Sequence, residues 1–82
     1  MRVSVLYFAG LRDAVGLSDE AVDLPEQVRT VGDLCDHLAS RHHAYAERRA
    51  SVRVARNEAF AADADAVHDG DVIALIPPVA GG

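Results

Sequence analysis

One segment of this chain carries the full signature of an amphipathic helix, and strand-like segments stand on both sides of it. Thr30 offers an N-cap oxygen, and Asp33 three residues later places an acid at the helix N-terminus. Val31, Leu34, Cys35 and Leu38 then recur at i, i+3, i+4 and i+7, so the spacing predicts a helix over 31–41 with one apolar stripe. Before it, 2–9 is rich in Val, Leu, Tyr and Phe and reads as a strand, with Val3, Val5 and Tyr7 on one face and Ser4, Leu6 and Phe8 on the other. A short helical turn over 11–15 is closed by Gly16, and 18–24 alternates as a second strand that ends at Pro25. After it, 51–56 reads as a strand with Val52 and Val54 on one face. Asn57-Glu58 marks a turn, and Asp69-Gly70-Asp71 launches a last strand over 72–76. The polar, alanine-rich stretch 42–50 is expected as a loop or an extra helical turn.

The order β-β-α-β-β, with a helix crossing one sheet face, makes a two-layer α+β domain. A β-grasp arrangement is its economical solution: a mixed sheet of four to five strands with one main helix packed on one face. In it the first and last strands lie side by side. Leu6, Phe8 and Ile76, with Phe60, are then expected to form an apolar patch on the sheet face opposite the helix. An uncovered patch of that kind is a reason to expect a partner protein.

With 82 residues the chain is one domain, 1–76, with room for a single modest core. No apolar run approaches the ~20 residues of a membrane span, and no apolar leader precedes the first strand, so a soluble, cytoplasmic protein is expected. The lone Cys35 forms no internal disulfide, falls in the helix's apolar stripe and reads as a core residue. His37, His42, His43 and His68 lack the spacing of a structural metal site, and one cysteine excludes an iron–sulfur ferredoxin.

Charge is unevenly placed in a chain of net charge −5: residues 1–40 carry −4, 41–56 carry +4 and 57–82 carry −5. The basic block holds Arg41, Arg48, Arg49, Arg53 and Arg56 without interleaved aromatics and between acidic flanks, which argues against nucleic acid. Acidic surfaces of this kind steer toward a basic partner. All eight basic residues are arginine, so no lysine amine is present as a nucleophile or an isopeptide acceptor.

The last six residues, Pro77-Pro78-Val79-Ala80-Gly81-Gly82, read as an extended tail that follows the domain. Pro77 and Pro78 fix their own φ angles and stiffen the exit. Gly81 and Gly82 lack Cβ atoms, so the segment is thin enough to thread a narrow channel into another enzyme's active site. The α-carboxylate would travel at its tip.

The start VSVLYFAGLRDAVG, the turn NEAF and the ending HDGDVIALIPPVAGG resemble the molybdopterin synthase small-subunit family, the MoaD/ThiS-type ubiquitin-like sulfur carriers, over the whole chain. The resemblance implies a role in molybdenum cofactor biosynthesis. There a ubiquitin-activating-like adenylyltransferase uses ATP to adenylate Gly82, and a sulfurtransferase or persulfide donor converts it to a thiocarboxylate. Gly81, Ala80, Val79, Pro78 and Pro77 would insert into the large subunit, within a heterotetramer of two small and two large subunits. Sulfur would pass to a cyclic pyranopterin precursor to build its dithiolene. Phe8, Phe60, Ile76 and Leu6 would be the partner interface. The chain would be a sulfur-donor subunit and not an enzyme alone, with no bound cofactor or metal and its sulfur held covalently at Gly82. Open beside this stand a carrier for thiamin thiazole, tRNA or cysteine sulfur, a modifier conjugated through Gly82, and a plain interaction domain.

Overall fold

A computed structural model describes residues 1–78. Its elements are β1 (Arg2–Tyr7), α1 (Ala9–Val15), β2 (Asp19–Asp23), α2 (Val31–Arg41), α3 (His43–Arg48), a 3₁₀ turn (Arg49–Ser51), β3 (Arg53–Arg56), β4 (Ala59–Phe60) and β5 (Val72–Ile76). The strands form one mixed sheet in the order β2-β1-β5-β3-β4. β1 and β5 run parallel at its centre, as expected of the first and last strands, and the other pairings are antiparallel.

The alternation read from the sequence holds. Val3, Val5 and Tyr7 of β1, Val22 of β2, Ile73 and Leu75 of β5 and Val54 of β3 are buried together with Val31, Leu34, Cys35 and Leu38 of α2. Helix α2 begins with the cap its sequence promises: Thr30 Oγ1 accepts from the Asp33 amide at 3.1 Å, and the Asp33 carboxylate accepts from the Thr30 and Arg29 amides. Gly16 closes α1 at φ 87°, where a Cβ would be strained.

One expectation is narrowed and two need correction. Stretch 42–50 takes the helical of its two expected forms and not the loop: residues 43–48 form α3, which places Tyr45 in the core at 1% exposure. One buried aromatic in a polar segment gives too weak a periodicity to read, and only packing reveals it. The third strand starts at Arg53, not Ser51, because the 3₁₀ turn takes up 49–51. β1 stops at Tyr7: the next residue, Phe8, caps α1, its carbonyl accepting from the Leu11 and Arg12 amides.

The motifs NEAF and HDGD, which carried much of the resemblance, form a structural clasp. The buried Asp71 carboxylate accepts from the His68 amide at 2.7 Å and from Asn57 Nδ2 at 2.9 Å, while Asn57 Oδ1 accepts from the Val72 amide at 2.9 Å. Asp69 accepts from the Arg2 amide at 2.7 Å, which fixes the start of β1 to the start of β5. Burial raises the Asp71 pKa, but these hydrogen bonds outweigh it and hold the carboxyl below its ordinary range.

Asn57 and Glu58 form a two-residue hairpin loop between β3 and β4 with φ of 50° and 72°, the primed geometry that favours Asn-Gly. Glu58 holds a left-handed conformation that costs a residue with a Cβ about 1 kcal/mol. Replacing Glu58 by Gly should therefore stabilise the fold by about 0.5–1 kcal/mol in urea denaturation, and a loss of stability would contradict this account of the turn.

Candidate functional site: the root of the C-terminal tail

β5 lies in the middle of the sheet and delivers Ile76, Pro77 and Pro78 to the end where β1 passes into α1. Here Phe8, Ala9, Leu11, Ile76, Pro77 and Pro78 line an apolar groove of about 570 Å³, with Arg48 and Ser51 from the α3 side. Phe8 is 43% exposed, and Ala9 sits at φ 48°, a left-handed conformation that turns the chain sharply out of β1. The groove and the tail root are thus formed by the same residues.

The face of the sheet away from α2 carries a row set by the strand register. Leu6 lies opposite Ala74, Ala74 opposite Ala55, and Ala55 opposite Phe60. Leu6 and Ile76 are half-buried, Phe60 is 60% exposed and Val72 is exposed. Of the four interface candidates, Leu6, Ile76 and Phe60 share this face. Phe8 stands at the corner where the face meets the groove. The segment 42–50 does not spend its aromatic on this patch, since Tyr45 enters the core. Arg53, opposite Ile76 in the register, lays its guanidinium 3.7 Å over the Phe60 ring.

The four remaining tail candidates, Val79, Ala80, Gly81 and Gly82, lie outside the described residues. Pro77 is half-buried and Pro78 exposed.

Several polar groups elsewhere have structural partners, whereas the buried His37 Nε2 has none among the described residues. Glu20, directed inward from β2, accepts from the Tyr7 hydroxyl at 2.5 Å, from His42 Nε2 at 2.6 Å and from Arg41 at 3.0 Å. His43 pairs with Glu47. Cys35 is buried and its thiol pKa is pushed up by that burial, which makes it a poor nucleophile. Among the described residues no group of three or more His, Cys, Asp and Glu side chains converges as a metal site would require. No helix among them is long and apolar enough to cross a membrane. Sequence reasoning had missed the Glu20 cluster and the groove residues Arg48 and Ser51. The only signal for Arg48 was its place in the basic block, and only the fold brings that block to the tail.

A mixed sheet with parallel first and last strands at its centre, helices on one face and an exit at the end of the last strand define a ubiquitin-like β-grasp protein. The chain belongs to the ThiS family, whose model matches residues 5–82. It is 34% identical to the molybdopterin synthase sulfur carrier subunit of Haemophilus influenzae, with 98% of this chain and 99% of the relative covered. It is 32% identical to the subunit of that name from Chlamydomonas reinhardtii, with both chains covered completely. Among solved structures, SAMP1 from Haloferax volcanii matches at a TM-score of 0.86 and 34% identity, covering all of both chains. A putative molybdopterin converting factor, subunit 1, from Pyrococcus furiosus matches at a TM-score of 0.84 and 32% identity, covering 96% of this chain and 99% of that one.

Proposed function

We propose that the chain is the sulfur-carrier small subunit of a molybdopterin synthase, with Gly82 as its reactive residue. What carries the reading is the conjunction of full-length similarity to sulfur carrier subunits with a stiff Pro77-Pro78 exit set beside an uncovered apolar patch. A carboxylate is a poor electrophile. Joining the Gly82 carboxylate to AMP, at the cost of ATP in a ubiquitin-activating-like adenylyltransferase, supplies a leaving group. A persulfide sulfur from a sulfurtransferase then attacks the carbonyl, AMP departs, and reduction of the S–S bond by a thiol of the donor system leaves C(=O)–S⁻.

The tail Pro77-Pro78-Val79-Ala80-Gly81-Gly82 then enters the large subunit, and Leu6, Phe8, Phe60 and Ile76 seat the body against it. The thiocarboxylate sulfur attacks a carbon of a cyclic pyranopterin precursor and displaces an oxygen substituent from it, and hydrolysis of the acyl link then returns the Gly82 carboxylate and leaves sulfur on the pterin. Two such transfers make one dithiolene, within an assembly of two small and two large subunits. The chain binds no cofactor, acts in the cytoplasm and serves as a co-substrate.

The test is the intact mass of the protein after incubation with ATP, its host's activating enzyme and a persulfide donor. Replacement of one oxygen by one sulfur, located to Gly82 by fragmentation, is the expected result. An unchanged mass with an enzyme competent on another carrier would overturn the reading.

A second reading has its own support, since the Haloferax volcanii structure is that of a small archaeal modifier protein. Conjugation of Gly82 to lysines of other proteins would appear as covalent adducts in host extracts that vanish when Gly82 is deleted.

A further inference from the structure

The chain carries a net charge of −5, yet the root of its tail is flanked by cations on both sides. Arg48 lines the groove together with Pro77 and Pro78. Arg53 stands on the other side, opposite Ile76 in the β3–β5 register. Three other arginines pair with carboxylates of this same chain: Arg2 with Asp23, Arg41 with Glu20 and Arg49 with Asp36. Arg48 donates to the Ala44 carbonyl, and Arg53 rests on the Phe60 ring. Among the described residues neither comes within ion-pair distance of a carboxylate. Both side chains are exposed, and the apolar groups Phe8, Ile76 and Phe60 lie between and beside them.

Resting on the function proposed above, we propose that Arg48 and Arg53 form a cationic collar that docks on acidic side chains at the rim of the large subunit's channel. The partner surface is thereby specified: an apolar centre that receives Phe8 and Ile76, with a carboxylate on each side. A tail inserted alone leaves the body free to rotate about it. Two cations on opposite sides of the root remove that freedom and hold the apolar patch in register. The contact acts at short range, because at physiological salt charges are screened beyond about 8 Å and the acidic remainder of the chain would repel such a rim. At the tail root, therefore, the complementary partner is acidic, the reverse of what net charge alone implies.

The experiment measures the affinity of the full chain for the purified large subunit of its host at low and high salt, by calorimetry, for wild type, Arg48→Glu, Arg53→Glu, the double variant and Arg29→Glu. Arg29 precedes the N-terminus of α2, whereas Arg41 at the other end of α2 reaches Glu20, so it serves as a charge control distant from the tail. Each collar reversal should weaken binding about tenfold and flatten its salt dependence, the double variant should lose about a hundredfold, and Arg29→Glu should stay within about threefold of wild type. Arg48→Gln should fall between wild type and Arg48→Glu, and melting temperatures separate these effects from loss of folding. Collar variants that bind like wild type, or an Arg29→Glu loss as large as theirs, overturn the collar alone. Tighter binding of Arg48→Glu would also overturn it, since that result means the arginine holds this chain's own carboxylate. A wild-type chain that does not bind the large subunit overturns both the collar and the function it rests on.

Discussion

Extending the chain by one alanine after Gly82 should eliminate detectable thiocarboxylate and sulfur transfer while leaving the melting temperature unchanged within about one degree. The sheet ends at Ile76, and the described packing ends at Pro78, so the melting temperature is not expected to depend on a residue added after Gly82. Its chemical effect is complete, because the Gly82 carbonyl becomes an amide that cannot be joined to AMP. Mass spectrometry after incubation with the activating system, beside a thermal melt of the same sample, checks both halves. Sulfur incorporation in the extended chain would remove Gly82 from the mechanism. A lowered melting temperature would show that the tail helps hold the fold.

Replacing Glu20 by Ala should cost about 3 kcal/mol of stability, or about 15 °C in a domain of this size. The Glu20 side chain is 13% exposed and accepts from Tyr7 and His42, with Arg41 paired to its other oxygen. Removing it leaves a hydroxyl inside the core and an imidazole at its edge without their acceptor. Tyr7 is itself 2% exposed, and burial followed by this hydrogen bond drives its pKa far above the ordinary value. Asp19→Ala, one residue earlier on the exposed side of β2, should change stability by less than about 0.5 kcal/mol.

The pH dependence follows from the direction of the Glu20 shift. Burial raises its pKa, but the hydrogen bonds from Tyr7 and His42 and the charge of Arg41 prevail and hold it below the ordinary glutamate value. A carboxyl whose folded pKa is depressed contributes stability above its unfolded pKa and loses it as pH falls through the folded one. The gap between wild type and Glu20→Ala should thus be full at pH 7 and shrink below about pH 4. Urea denaturation at pH 7 and pH 3 measures it. An equal gap at both would assign Glu20 a packing role without a charge role.

Most of the fold was legible because its signals are local. Thr30 and Asp33 announce the start of α2 through a cap that closes within four residues, and Gly16 announces the end of α1 through a φ that only glycine adopts freely. Alternation along β1 and β5 separated core from surface because a strand's side chains change face at every residue. Tyr45 escaped notice because a six-residue helix with one buried side chain has no periodicity. Phe8 was assigned to the strand because its residue type continues the β1 pattern, whereas the left-handed Ala9 that follows is fixed by the packing of α1.

The candidate site divides in the same way. Its proposed reactive end was legible in the order of residues Pro77 to Gly82, since two prolines and two residues without side chains are covalent properties of the chain. Its setting was not. Leu6, Ala74, Ala55 and Phe60 are scattered over more than fifty positions, and they become one row only through the register of four strands. Arg48 and Arg53 belong to a basic block that the sequence presents as one feature. The turn at 49–51 and the β3–β5 pairing divide it, placing one cation in the groove and the other on the outer face. Covalent chemistry and local propensity are written along the chain, and the neighbours that give charges and apolar groups their meaning are settled only when distant segments pack.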